Sequence, residues 1–276
     1  MESFDESLKY LLHEEPADFL RFGFADPELT ILGPCETDLP SRGRDVDGSY
    51  FVMLGGVKMV AHVEFHRRHQ GLDELAIDVA EAQIRLHRRE RCLVVSHVWD
   101  LYGDRSGALM KRRKLKVGPG SYSTYTRINL RAMRWQQLLA KGPPALWPLV
   151  PLARDGATEI AVKTARDAIT SRHDENSSRQ ADHLAILWFV AEAEDVPTEL
   201  IKAYIKEGQL MESALYKSIF AQGVAQGVAQ GVAQGVAQGV AQGVAQGVAQ
   251  GVAQGEARLR ADTVYKLLVR WLGSVD

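Results

Sequence analysis

The sequence predicts an α/β fold, a mixed β-sheet flanked by helices, followed by an α-helical C-terminal extension. Three observations lead there. Residues 47–66 read as a β-hairpin, in which the apolar-rich runs GSYFVML and VKMVAHVEFH are joined by Gly55-Gly56. A Gly-Gly pair suits the positive φ angles of a two-residue hairpin loop. Leu72, Leu75, Ala76, Val79, Ala82 and Leu86 then recur at helical spacing. The continuous apolar run CLVVSHVW comes next, as expected of a strand buried on both faces. Strand 57–66, helix 72–89 and strand 91–99 thus form a βαβ crossover, whose expected hand is right.

The remaining elements are read in chain order. A first helix, capped by Ser3 or Asp5, buries Leu8, Leu11 and Leu12, and Pro16 opens a second short helix where its missing N–H is harmless. Arg85, Arg88 and Arg89 close helix 72–89, complementing its dipole. Lys111–Val117 and Tyr122–Leu130, on either side of Gly118-Pro119-Gly120, predict a second hairpin, and the core is expected to span residues 1–140. Residues 155–220 read as a helical subdomain broken at SRHDENSSR and near Val196-Pro197. Its apolar positions include Ile160, Ile169, Leu184, Leu187, Trp188, Leu200 and Tyr204, and His183 beside Asp182 reads as a structural or surface residue.

Residues 221–256 are eight copies of AQGV and a closing AQGE. A four-residue period overshoots the helical repeat by about 40° per copy, so no residue type holds one face. Its nine glycines oppose an isolated helix by roughly 1 kcal/mol each. The tract is expected to be a spacer, helical or fluctuating, up to ~54 Å long if helical. Residues 257–272 are amphipathic, and Leu259, Val264, Leu267, Leu268 and Trp271 need a partner surface in this chain or in a second copy.

The chemistry concentrates at the open end of the first hairpin. With Gly55 and Gly56 as the loop, Leu54 faces Val57, and continuing that register sets Asp47 opposite Glu64, with Cβ atoms roughly 4.5–5.5 Å apart. Two carboxylates that close repel unless a cation lies between them or one keeps a proton. Ser49, His62, Glu64 and His66 share that face with Asp47, whereas Tyr50, Val52, Leu54, Val57, Met59, Ala61, Val63 and Phe65 form an apolar opposite face. The polar face suits either a cleft floor or a solvated sheet surface. Asp47 and Glu64 are the expected metal ligands, for Mg²⁺ or Mn²⁺ by their oxygen donors. His62 and His66 beside Glu64 leave room for Mn²⁺ or Zn²⁺.

Asp47, a hairpin and then Val63-Glu64-Phe65-His66 resemble the core motif of the PD-(D/E)XK nuclease superfamily. Within it the chain most resembles the recombination-promoting nuclease (Rpn) and transposase family. FDESLKYLL matches that family's opening D-x-x-x-K helix at Asp5 and Lys9, and TRINLRAMRWQQLLAKGPPALWPLVPLAR is similar to the strand, helix and Pro-rich stretch after its nuclease core. The tetrapeptide repeat and closing helix are also typical. The resemblance implies a restriction-endonuclease-like fold and Mg²⁺-dependent DNA hydrolysis linked to recombination, with Asp47, Glu64 and His66 as catalytic residues and Asp5 as a supporting acid. His66 stands where the family carries Gln or Lys, and the family's Arg and Tyr after the Glu are not evident in LAIDVAEAQIRL. The alternative is a degenerate member that binds DNA or protein without cutting.

Charge distribution adds the expected partner. The net charge is −2, yet residues 1–47 carry twelve acids against four bases, and residues 105–134 carry nine bases and no acid. Lys111, Arg112, Arg113, Lys114 and Lys116 are the candidate contacts to a DNA backbone, or a solvated basic loop. Cys35 and Cys92 lie in no metal or disulfide pattern. The start MESFDESLKY has no apolar signal region, and no stretch is long and apolar enough for a membrane span. A cytoplasmic protein, self-associating through its last helix, is the expectation. There is no phosphate-cradling glycine loop and no placeable nucleophile triad.

Overall fold

The structure, a computed structural model, describes residues 2–35, 46–66, 72–103, 105–118, 121–172 and 177–272. Helices α1 (Glu2–Glu14) and α2 (Pro16–Phe24) precede β1 (Thr30–Pro34), β2 (Gly48–Leu54) and β3 (Val57–His66). Helix α3 (Leu72–Glu90) leads to β4 (Leu93–Asp100), and β5 (Met110–Gly118) and β6 (Ser121–Ile128) complete the sheet. The strands form one mixed six-stranded sheet in the order β1-β2-β3-β4-β6-β5. This is the α/β fold that the periodicities predict. Pro119 and Gly120, at the expected turn of the second hairpin, lie outside the described residues.

The first hairpin has the expected register: Leu54 pairs with Val57, and the ladder continues in step to Gly48 opposite Val63. Gly55 and Gly56 both have positive φ, 55° and 78°. Strands β3 and β4 are parallel, joined by α3, and β6 runs parallel to β4 on its other side. Three adjacent strands therefore end together, at Glu64 to His66, Asp100 and Arg127.

Each face of the sheet is covered. On one, the Phe19 ring of α2 lies 4.8 Å from Trp99 and 6.3 Å, edge-on, from Phe65. A Cβ added at Gly48 would fall 2.6 Å from Leu12 Cδ2, so a glycine lets α1 approach β2 this closely. On the other face, Ala82 and Leu86 of α3 pack with Val60, Cys35 and Val46, and Leu75, Ala76 and Val79 pack with Val98 and Tyr125.

Beyond the sheet come a 3₁₀ turn at Leu130–Ala132, α4 (Trp135–Lys141) and a 3₁₀ stretch Pro144–Leu152. Helices α5 (Glu159–Thr170), α6 (Ser177–Ala193), α7 (Thr198–Tyr204) and α8 (Glu207–Leu210) come after them. The break expected at SRHDENSSR falls partly on residues 173–176, outside the described ones. Residues 1–218 form one compact unit. Asp182 of α6 is buried and accepts hydrogen bonds from Tyr10 of α1 (2.8 Å) and Ser213 (2.6 Å). His183, 2% exposed, pairs with Glu15, which makes it the structural residue expected. Ile160 was expected to pack but is 70% exposed. Thr158 caps α5 and sets a phase in which Ala161, Val162, Ala165 and Ile169 point inward.

Residues 219–276 are a second unit, and the chain from Ala214 to Leu272 is one 59-residue helix, α9. The repeat is thus helical despite its glycines. Its valines are 50–61% exposed, and a Cβ at any described glycine of the tract would meet nothing within 4 Å. Leu259, Val264, Leu267 and Leu268 are also exposed, while the side chain of Trp271 lies outside the described ones. Glu256–Arg260 and Asp262–Lys266 ion pairs support the last turns, the acid preceding the base as α-helices prefer. Deleting four AQGV copies is expected to leave the thermal midpoint of the 1–218 unit within about 2 °C of wild type by circular dichroism, because exposed positions away from packed features carry little stability.

Candidate functional site

Asp47 and Glu64 lie at the open end of the β2–β3 hairpin. The ladder stops one pair short of them, at Gly48 and Val63. Asp47 instead aims its own carboxylate at the strand end, where Oδ2 accepts a hydrogen bond from the Phe65 amide (2.8 Å). Its Oδ1 lies 3.0 Å from Lys9 Nζ, so the D-x-x-x-K helix reaches the predicted carboxylate through Lys9. The side chain of Asp5 lies outside the described ones.

The two acids repel each other. Asp47, with a side chain 3% exposed, has its pKa pushed up to about 6, first by burial and then by the charge of Glu64, against the pull of Phe65 and Lys9. Glu64 is more open, 21% exposed, and its Oε1 lies 3.0 Å from His62 Nε2. The pair is therefore one partly buried acidic centre.

His62 is fully buried and has two partners. Its Nδ1 is 2.9 Å from Ser96 Oγ. Gln83 of α3 donates through Nε2 to Ser96 Oγ (2.9 Å) and to the Thr124 carbonyl (2.8 Å), and accepts from Ser123 Oγ (2.7 Å). A carboxylate only accepts, which assigns the His62 proton to Nε2 and leaves Nδ1 to accept from the Ser96 hydroxyl. Gln83, Ser96 and His62 thus form a series of donors that terminates on Glu64. Sequence reading missed Gln83, although it is a polar residue on the stripe of Val79 and Leu86, four residues after one and three before the other.

His66, 8% exposed, belongs to a second set of hydrogen bonds. Its Nδ1 is 2.9 Å from Asp100 Oδ1, which also accepts from the Tyr102 amide (3.1 Å). Arg127 engages Asp100 Oδ2 through both Nε and Nη2. Burial pushes the Asp100 carboxyl up, but the hydrogen bonds from His66 and Arg127 outweigh it and hold the group below the usual range. Asp100 was also missed, and Arg127 was counted only among the bases of residues 105–134. The available signals were an Asp ending an otherwise apolar strand and one Arg inside TYTRIN.

The expected divalent cation can be tested against these atoms. Among the described residues no group of three or more His, Cys, Asp or Glu gathers as a metal site. The two carboxylates nevertheless fit Mg²⁺ or Mn²⁺, since Mg²⁺ is commonly held by one or two carboxylates with water and substrate phosphate completing its shell. Burial is the first cause of the raised Asp47 pKa and the charge of Glu64 the second, and a cation between the two acids would remove the second. His69 of HVEFHRRH lies outside the described residues.

The basic run is not a loop. Met110–Gly118 is the edge strand of the sheet, and its residues alternate between faces. Lys111 and Arg113 pair with Arg127 and Tyr125, on the carboxylate face. Arg112 and Lys114 pair with Thr126 and Thr124, on the opposite face, where Lys114 Nζ lies 3.8 Å from the centre of the Tyr122 ring. The side chain of Lys116 lies outside the described ones. Charges on an exposed edge also block edge-to-edge strand pairing. Among the described residues, no helix is long and apolar enough to cross a membrane. The chain matches no family model, no curated protein and no solved structure.

Proposed function

We propose that the chain is a metal-dependent DNA endonuclease of the PD-(D/E)XK type, related to the recombination-promoting nucleases and acting in the cytoplasm. The observation that carries this reading is the placement of Asp47 and Glu64 at the shared end of three parallel strands. Asp47, Glu64 and the Phe65 carbonyl would hold Mg²⁺ or Mn²⁺. Such a cation, when bound, lowers the pKa of a water and polarises a phosphate. The protein's own groups have distinct tasks. The Gln83–Ser96–His62 series fixes the rotamer of Glu64. Asp100 holds His66 Nδ1, so proton exchange with water or with the leaving oxygen is confined to Nε2. Lys9 compensates Asp47 until the cation arrives.

The expected result is nicking of supercoiled plasmid in Mg²⁺ or Mn²⁺ and none in EDTA. His66→Ala should abolish nicking with DNA affinity nearly intact, and His66→Gln should keep it. Intact plasmid after incubation with wild-type protein and either metal would overturn the nuclease reading. Occupation of Asp47 by Lys9 and Phe65, and of Glu64 by His62, favours the second reading, a nuclease-fold protein that binds DNA or another protein without cutting.

DNA contact on the carboxylate face has its own test. Lys111→Ala with Arg113→Ala should flatten the dependence of log K on log salt by up to about 1.8, two phosphates at 0.9 each. Arg112→Ala with Lys114→Ala, on the other face, should leave the slope unchanged. Equal slopes for both double variants would assign the run to edge protection. Self-association through residues 257–272 belongs to the same proposal. Their removal should lower the solution mass by light scattering, whereas shortening the repeat should not.

A further inference from the structure

The face of the sheet opposite the carboxylates carries a cleft of about 410 Å³, at the other end of β3 and β4. Its composition is graded. The register sets His97 of β4 beside Thr126 of β6, and Thr126 beside Arg112 of β5. These three side chains form a polar row across adjacent strands roughly 4.8 Å apart. From that row toward the hairpin turn the lining is mostly apolar, with Val95, Leu93, Met59 and Leu54, and Thr124 lies at its side. Phe24, at the C-terminal end of α2, walls the polar end, its ring 4.4 Å from that of His97.

His97 makes this cleft unlike an ordinary surface dip. It is 3% exposed, yet its Nδ1 has no hydrogen-bond partner among the described residues. A buried ring nitrogen left this way carries its full desolvation cost. Burial, and then the neighbouring His62, push the pKa of His97 down to about 4, so near pH 7 the ring is neutral and keeps one donor and one acceptor. Arg112 is exposed at the rim and offers a fixed fork of donors that matches a carboxylate.

We propose that this cleft binds a small amphipathic carboxylate, its acid group on Arg112, Thr126 and His97 and its apolar body along Val95, Leu93 and Met59. The occupant is neither the divalent cation nor the DNA of the carboxylate face, and the inference is independent of the nuclease reading.

Octanoate is a suitable probe, with octylamine matching its chain at opposite charge. The full chain, labelled with ¹⁵N-histidine, is titrated with each and followed by its imidazole signals. Octanoate is expected to shift the His97 ring signals saturably, and octylamine to shift them little at equal concentration. Arg112→Ala, a change at an exposed position, should weaken octanoate binding about tenfold, the scale of one charge-assisted hydrogen bond. His97 signals that do not move with octanoate would overturn the proposal. So would equal shifts from octylamine, or an octanoate affinity that Arg112→Ala leaves unchanged. None of these readouts depends on nicking, so a failure here and a failure of the nuclease reading are distinguishable.

Discussion

Asp47→Asn is expected to stabilise the fold at pH 8 while destroying the metal response. The Asp47 pKa is raised from its ordinary 3.8 to about 6, so the folded state prefers the protonated form and ionisation works against folding at higher pH. A shift of about two units corresponds to an opposing free energy on the order of 3 kcal/mol. Asn is always neutral and its side-chain oxygen can still accept from the Phe65 amide. The variant should therefore melt roughly 6–12 °C above wild type at pH 8. The sign of the pH dependence is fixed. The gain is complete above the folded pKa, shrinks as pH falls through 6, and is gone once both states are protonated below about 4. Thermal unfolding at pH 8 and pH 4.5 is the measurement, and an equal gain at both would remove the electrostatic explanation. On the proposed metal site, Mn²⁺ would bind the folded state alone, so it should raise the wild-type midpoint and leave the variant unmoved.

Asp100→Ala should give the largest loss. Asp100 is 1% exposed and accepts from His66, Arg127 and the Tyr102 amide. Truncation leaves a partly buried guanidinium and an imidazole without their common acceptor. Removing one member of a buried pair costs about 3–5 kcal/mol, a fall of roughly 10 °C or more in a unit of this size. Here the pKa is depressed, so the pH dependence has the opposite sense. The contribution is complete above the unfolded pKa of about 4 and is lost as pH falls through the lower folded value. The gap between wild type and variant should thus be full at pH 7 and close in acid. Asp100→Asn, which keeps an acceptor oxygen, should recover part of it. A variant melting within a degree or two of wild type at pH 7 would show that Arg127 and His66 find other partners.

The hairpin register was legible because everything that fixes it is local: a Gly-Gly loop, and alternation on each side that a one-residue slip would invert. The two carboxylates could be located from eighteen positions of one continuous segment. The network behind them could not. His62 meets Ser96, and His66 meets Asp100, through a parallel register set by the α3 crossover, which no turn residue encodes. Gln83 and Arg127 come from two further segments. The basic run misled in a different way. Read as a line of letters, Lys111 to Lys114 is one charge block, but a strand sends alternate residues to opposite faces, so it is two sets of charges. In the repeat, the summed glycine penalty left helix and fluctuating coil in balance, yet the tract is helical and continuous with helix-forming sequence at both ends.

That tract also bears on how the gene varies. Each AQGV copy is a whole number of codons, so replication slippage that gains or loses one copy leaves the downstream reading frame intact. In the protein, each event lengthens or shortens an exposed rod by about 6 Å and rotates the closing helical segment by about 40°. No buried contact along the described tract has to re-form, because its valines face solvent and its glycines touch nothing. Mutation and folding therefore place little resistance on copy number. Alleles differing in the number of tetrapeptides, with every residue of the sheet unchanged, are the variation to expect among close relatives of this gene.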